Sequence, residues 1–558
     1  MNKRIYIQIE FLIILLAFLV GIYSQWASFF NQYVINDDVN QHIYWMQQFQ
    51  DNGLFRNDLL TEYAKNYQPW GFVALYYILS FIVDPMIVSK VIPIILLMVS
   101  SLYLFRLVRH ITNDYAGFLA ASIFIVTPIY LNRMIGGEPR AFGYPLLIIL
   151  LYYLVRKEYL KSSFVLILQC LFYPIVFLLS ILTYLFTLIK MQHKEIFFDK
   201  AITQRKYFII AVMICGVILC SKYIISYNPS IGRIVTREQM VGNSEYYFKG
   251  RVRILPTPPL FQQIRRSLQE GMVFSKIFNR SAKMISLKPG EFDNKLIFLI
   301  TILFLIAETI RKKLIFPIEI MFLFISSVLM YIIADLFLFK LFLPIRYLSY
   351  SLPLISLIIC AIAIGQLIIK IKSVRIKKAA QILILILIFL NVSSQRSNGL
   401  TNTSYNKSLY SYLNSLPKET VIAAHPVLAN NIPTFAQRKV FINYELSHCV
   451  FDNYWKTIKK RTFDFFDAYY SEDPSFIYEF CERNGIDYLV IDKRHFTEKY
   501  LRGSIYIEPF STYVKNITRK RKKFFLDTIP EENKLFTTRN VFVIKKDILN
   551  VSNFKDVE

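Results

Sequence analysis

Two adjacent carboxylates, Asp37 and Asp38, lie in the run Asn36-Asp37-Asp38-Val39-Asn40-Gln41-His42, a few residues beyond an N-terminal apolar segment. Carboxylates are costly beside lipid, so a pair at a membrane surface either starts a helix in water or faces a polar cleft where its charge is used. Both readings stand on the residues. Asp38-Val39-Asn40-Gln41 has the spacing of a capping box, in which the aspartate accepts from the first turn of a helix. In a partly dry cleft the same carboxylate would carry a raised pKa and serve as a general base toward a hydroxyl group. His42, four residues after Asp38, shares its helical face. It either orients a carboxylate, touches substrate, or is an interfacial histidine with no role.

Two further clusters could meet that pair. Arg133, Glu138 and Arg140 fall in the run 133–142, whose Gly136-Gly137 would let the backbone approach a ligand and whose arginines are bidentate phosphate donors. The bland alternative is an arginine snorkelling at a helix end. Arg346 and Tyr347 close the run Leu343-Pro344-Ile345-Arg346-Tyr347 between two apolar stretches. An arginine there needs an anionic partner, either a lipid phosphate or, structurally, Asp335.

The elements that position these residues are set by composition. The 558 residues are 54% hydrophobic and break repeatedly into apolar runs separated by Lys/Arg clusters, which is the pattern of a polytopic membrane protein. The formal charge is +26, with much of the basic excess in short clusters around Arg106, Arg156, Lys190, Arg311 and Lys372. Placed on one side, these obey the positive-inside rule, so the charge is not a nucleic-acid footprint. The first helix, 5–24, follows Lys3-Arg4 and has no small-residue cleavage site, an uncleaved anchor with its N-terminus cytoplasmic.

Outer loops then fall at 27–68, 132–142, 226–295 and 335–347. Within the first, Val39, Ile43, Trp45, Met46 and Phe49 recur at near-helical spacing and predict a short amphipathic helix in the interface. Residues 70–83 are too few to cross and suit an interfacial or re-entrant segment. Crossings are expected at 87–108, 115–130, 144–155, 207–225, 296–310, 315–334, 348–369 and 379–392. The run 164–189 has basic residues at both ends and predicts a hairpin or re-entrant pair bent near Pro174.

From 394 the composition turns mixed, and Val421 to Ala424, Tyr488 to Ile491 and Val541 to Ile544 read as buried strands with helices near 454–470 and 474–484. The expected architecture is a polytopic α-helical membrane domain over 1–393, with about 10 to 11 membrane segments, and a small soluble α/β domain over 394–558. Cys449 and Cys481 are the two cysteines in polar sequence and either pair or stay free. No Cys/His spacing indicates a metal site.

Asp37-Asp38 after the first helix, Phe55-Arg56-Asn57-Asp58 through Gln68-Pro69-Trp70, the Gly-Gly-Glu-Pro-Arg loop and Leu-Pro-Ile-Arg-Tyr occur in an order that resembles the GT-C superfamily of polytopic glycosyltransferases. Its members include protein O-mannosyltransferases and aminoarabinose transferases. The resemblance covers roughly residues 1–390, and the stretch 417–492 looks like the soluble appendage of bacterial members. It implies a bacterial plasma-membrane enzyme with its site and C-terminal domain extracytoplasmic. Such an enzyme moves a sugar, with inversion, from a polyprenyl-phosphate-linked donor to a glycan, lipid or protein acceptor.

On that resemblance Asp37 or Asp38 is the base, and His42, Arg133, Glu138, Arg140, Arg346 and Tyr347 bind substrate. Arg346 would hold the leaving phosphate, and the basic loop 226–295 would fold over the carrier head group as a lid. A divalent cation is neither required nor excluded by these residues. Two other classes use the same charges: a transporter or flippase of lipid-linked glycans, which should show inverted repeats that this chain lacks, and a non-catalytic scaffold acting through its C-terminal domain.

Overall fold

The computed structural model describes residues 3–192, 195–198, 202–271, 311, 316–521 and 523–550. Apolar runs become helices because a chain in lipid must satisfy its backbone groups within itself. Among the described residues six helices are long and apolar enough to cross a membrane: Tyr6–Phe30, Pro85–Ile111, Lys206–Ile225, Ile318–Leu336, Ile345–Ile369 and Val374–Gln395. The crossing expected at 296–310 lies outside the described residues. The last helix begins earlier than its apolar run suggested and reaches 22 residues through the turn ending at Gln395, about 33 Å and long enough to cross.

Shorter apolar helices fill the space between. Trp70–Ser80 has 11 residues, about 17 Å, too short to cross. The run expected to bend near Pro174 divides at Tyr173 into Tyr159–Phe172 and Pro174–Thr187, which pack on each other. Pro174 takes the first helical position, where a missing N–H breaks no bond.

The connecting segments gather at one end of the helices. Val34–Ile35 pairs antiparallel with Thr401–Asn402, Asn36 Nδ2 donates to the Gly399 carbonyl at 2.8 Å, and Tyr350 donates to the Arg140 carbonyl at 3.2 Å. At the opposite end Arg106 pairs with Glu10, Arg109 with Asp114, and Arg156 with Glu158.

One expectation changes here. The amphipathic stretch after Asp38 forms a helix at Val39–His42 and a 3-10 turn at Tyr44–Phe49, but its apolar face is not at a lipid interface. Val39, Ile43, Trp45 and Met46 are all buried, and the two turns pack on the helix Ile432–Ala436 of the C-terminal region. The apolar periodicity is that of a docking face inside the protein, which sequence periodicity alone does not distinguish from a membrane-facing one.

The C-terminal region is built on a five-stranded sheet ordered Lys439–Val440, Val421–Ala424, Tyr488–Asp492, Val541–Lys545 and Phe536–Thr537. The first three strands run parallel, with Ala424 opposite Val490, and the last two are antiparallel, with Val490 opposite Val543. Helices Asp452–Tyr469 and Pro474–Asn484 fall where the sequence placed them. Cys449 and Cys481 are both buried free thiols, so of the two readings offered for them the unpaired one holds.

The described part of the basic loop, 226–271, is pinned to this region. Val235 N donates to the Val450 carbonyl at 3.0 Å, Tyr246 donates to the Cys449 carbonyl at 2.7 Å, and buried Glu245 accepts from Trp455 Nε1 and Lys459 at 2.8 and 2.9 Å. The described part includes the helix Leu260–Gly271, whose buried Gln263, Ser267 and Gly271 recur every four residues and face Ile345–Ile369.

Candidate active site

Where the gathered loops meet the helices lies a cavity of about 750 Å3, walled by the first loop, the 138–140 loop, the start of Ile345–Ile369, loop residues 251–258 and residues 445–451 of the C-terminal region. Five of its lining residues are Lys or Arg (Arg140, Lys222, Arg251, Arg253 and Arg346), and three are Asp or Glu (Asp38, Glu138 and Glu445).

Asp38 sits at the first turn of Val39–His42 but makes no side-chain cap, so the capping-box reading fails for it. Its carboxylate turns instead to Arg140, with Nη2 to Oδ2 at 2.5 Å. Arg140 Nε also lies 2.5 Å from Glu138 Oε1, and Glu138 is in hydrogen-bonding reach of Asp38. His42 faces Glu138 Oε2 through Nε2 at 3.2 Å, while its Nδ1 meets the amide of fully buried Gln68.

These four side chains divide the charge. Burial pulls the Asp38 pKa up, but Arg140 beside it and the hydrogen bond with Glu138 hold it below the usual carboxylate range, contrary to the raised value expected of a carboxylate in a dry cleft. Glu138 goes the other way: burial pushes it well up, Arg140 only partly offsets this, and the neighbouring Asp38 charge adds to it. Burial thus favours the protonated form of Glu138, which can donate. Burial lowers His42 to about 4, Asp38 opposing, so its imidazole is neutral. Asp37 is exposed and does not line the cavity. Its pKa is raised by desolvation and by the adjacent Asp38.

The glycines of the 133–142 loop serve a different purpose from the one their sequence suggested. Gly136 and Gly137 have φ of +92° and +62°. A Cβ at Gly136 would lie 2.9 Å from Asn36 Oδ1, and one at Gly137 2.8 Å from the Tyr76 hydroxyl. They let the loop turn and approach protein neighbours, which delivers Glu138 and Arg140 to the cavity.

Arg346 lines the cavity from the first turn of Ile345–Ile369. It does not pair with Asp335, whose carboxylate is 3.6 Å from Arg237. Its buried Nη1 has no hydrogen-bond partner among the described residues. Of the remaining sequence candidates, Arg133 lies over the Tyr350 ring at 5.6 Å, outside the lining, and Tyr347 is buried with its hydroxyl on the Leu341 carbonyl at 2.8 Å. Neither reaches the cavity wall.

The C-terminal wall went unread in the sequence. Arg251 Nη2 contacts Glu445 Oε2 at 3.2 Å and His448 Nε2 at 3.1 Å, and His448 Nδ1 meets the Tyr63 hydroxyl at 3.1 Å. Burial raises Glu445 to about 7, with Arg251 opposing and the charges of Asp38 and Asp37 adding. Nothing in the spacing of Glu445 and His448 marks them; the isolated charges of a folded domain carry no periodic signal.

Among the described residues no group of three or more His, Cys, Asp or Glu is placed to hold a metal ion. The positive charge between Asp38 and Glu138 is supplied by the Arg140 guanidinium, so in this arrangement the two carboxylates do not fit a divalent cation.

No protein-family model matches the chain, and no curated protein sequence matches it. Among solved structures it is similar to the Archaeoglobus fulgidus oligosaccharyltransferase in the apo form, at 13% identity and a TM-score of 0.48, covering 91% of this chain and 72% of that one. It is similar also to the same enzyme tethered to an acceptor peptide containing the NVT sequon, at 12% identity, a TM-score of 0.49 and coverage of 91% and 72%. A third is the archaeal oligosaccharyltransferase AglB from Archaeoglobus fulgidus in complex with an inhibitory peptide and a dolichol-phosphate, at 12%, 0.49, 90% and 72%.

Proposed function

We propose that the protein is an integral-membrane glycosyltransferase that moves a sugar from a polyprenyl-phosphate-linked donor to an acceptor hydroxyl on the extracytoplasmic face, with inversion. The observation that carries this reading is that Asp38, ionised, and Arg346, with a buried unpartnered N–H, line one cavity at the end of the membrane helices. The basic clusters at the other end support an orientation with the N-terminus cytoplasmic.

Asp38 takes the proton of the acceptor hydroxyl as its oxygen attacks the anomeric carbon. The bond from that carbon to the phosphate oxygen breaks, and the phosphate leaves with the electron pair, its charge met by Arg346. A single displacement inverts the anomeric centre. Arg140 keeps Asp38 ionised and in place, at the cost of basicity, so proton transfer is late and driven by the bond forming at carbon. Glu138, faced by His42, which Gln68 in turn holds, steadies Arg140. Arg133 and Tyr347 support the walls of the cleft.

Protein reconstituted in lipid nanodiscs with a polyprenyl-phosphate sugar and a candidate acceptor tests this. Glycosidic product should form, and Asp38→Asn should abolish it while the donor still binds. Passage of labelled lipid-linked sugar across proteoliposomes with no new glycosidic bond would instead make the protein a transporter.

A further inference from the structure

Two arginines on opposite walls of the cavity differ in their pairing. On the membrane side Arg346 offers an N–H with no carboxylate paired to it. Across from it, Arg251 is paired with Glu445 at 3.2 Å. This wall is rich in directed hydrogen-bonding groups.

Their polarity follows from donor and acceptor types. Arginine only donates, so His448 Nε2, 3.1 Å from Arg251 Nη2, accepts. His448 Nδ1 meets two groups, the Tyr63 hydroxyl at 3.1 Å and the Gln41 side-chain amide at 3.4 Å. Tyr63 lines the cavity, and its hydroxyl can both donate and accept. Buried Arg251 Nε likewise has no partner among the described residues, and Glu445 supplies a carboxylate acceptor within reach of the Asp38 field.

Donors and an acceptor side by side on this wall match neighbouring hydroxyl groups, each of which gives one hydrogen bond and accepts others. A peptide would bring backbone amides that need alternating partners along an extended edge, and no strand edge lines the cavity among the described residues. We propose that Tyr63, Arg251 and Glu445 form an acceptor subsite, which rests on the transferase reading above, and that it binds adjacent hydroxyls of a carbohydrate and presents one of them to Asp38. His448 is a positioning residue, fixing Arg251 and Tyr63 without touching the sugar. The C-terminal region thus selects the acceptor, and the membrane helices hold the donor.

The test uses the full chain in nanodiscs and two probes. Methyl hexopyranosides are read by saturation-transfer NMR, and undecaprenyl phosphate by a radioligand assay. Glycosides should bind the wild type, and Tyr63→Phe and Glu445→Gln should each weaken them by about 10-fold or more. Undecaprenyl phosphate should bind both variants within about twofold of wild type, which also reports that they fold. The proposal is overturned if glycosides fail to bind the wild type or bind Glu445→Gln undiminished. It is equally overturned if a serine- or threonine-containing peptide binds in their place and responds to the same substitutions. Failure of the wild type to bind undecaprenyl phosphate would count against the donor reading of Arg346, a separate result from the glycoside arm.

Discussion

Arg140 Nη2 lies 2.5 Å from Asp38 Oδ2, joining two loops that are far apart in the chain. The same guanidinium reaches Glu138 at 2.5 Å, so one cation sits against two carboxylates whose pKa values shift in opposite directions. An ion pair this enclosed costs desolvation, and its retention is explained by what it holds in place, an ionised carboxylate facing the cavity.

The two adjacent aspartates should be unequal. Asp38→Asn removes the group that lines the cavity and should lower glycosyl transfer by at least about 100-fold. Asp37→Asn, on an exposed side chain outside the lining, should stay within about threefold. Initial rates with a saturating polyprenyl-phosphate sugar check this, and equal losses would remove Asp38 from its role.

Arg140→Gln should leave Asp38 and buried Glu138 without their cation and destabilise the fold by about 3 kcal/mol at neutral pH. In the wild type Asp38 has a lowered pKa, so its contribution to stability is present above the ordinary carboxylate pKa and disappears as pH falls through the lowered value. The variant should lose that acid-side step. Thermal melts followed by tryptophan fluorescence between pH 7 and pH 3 would show it, and an unchanged melt at pH 7 would contradict the pairing.

His42 and Glu445 should give pH dependences of opposite sign. His42 is lowered to about 4, so from an ordinary value of about 6.5 downward the unfolded chain takes up its proton first and stability falls with falling pH. Glu445 is raised to about 7, so the folded state holds its proton longer and stability falls as pH rises toward 7. Between pH 4.5 and 6.5, His42→Gln should therefore shift the melting profile toward lower stability at high pH, and Glu445→Gln should shift it the other way. Matching shifts in the two variants would be inconsistent with these assignments.

Gly137→Ala should be disproportionately harmful for so small a change. At φ +62° a side chain is strained, and the new Cβ would meet the Tyr76 hydroxyl at 2.8 Å, which now donates to the Gly137 carbonyl at 3.0 Å. A loss of about 1–3 kcal/mol is expected, with displacement of neighbouring Glu138 and lower transfer activity. A melting temperature equal to wild type would show that the loop relaxes freely.

The stereochemical outcome is a direct readout of the displacement. NMR of the product from a donor of known anomeric configuration should show the opposite configuration at the transferred sugar. Retention would require a covalent sugar–enzyme intermediate and a different assignment of the carboxylates.

Much of the chain was legible before any tertiary structure. The apolar runs at 87–108, 207–225 and 348–369 stand inside the helices Pro85–Ile111, Ile202–Ile225 and Ile345–Ile369, because lipid forces the backbone to bond within its own segment. The bend at Tyr173 and the strands Val421–Ala424, Tyr488–Asp492 and Val541–Lys545 were likewise local, written in proline placement and in short β-branched runs. Asp38, His42, Glu138, Arg140 and Arg346 could be singled out as chemically capable residues, and the structure brings these five to one cavity.

What only tertiary structure decided is which charge meets which. Spacing offered Asp38 a helix cap, Arg346 a bridge to Asp335 and Arg133 the same standing as Arg140; folding gave Asp38 to Arg140, Asp335 to Arg237 and Arg133 to the face of Tyr350. It also buried the apolar stripe after Asp38 under the C-terminal region and placed Arg251, Glu445 and His448 across from the membrane wall. Segment type follows from periodicity along the chain, which is local. Protonation and pairing depend on burial and on distances between residues hundreds of positions apart, which no local pattern encodes.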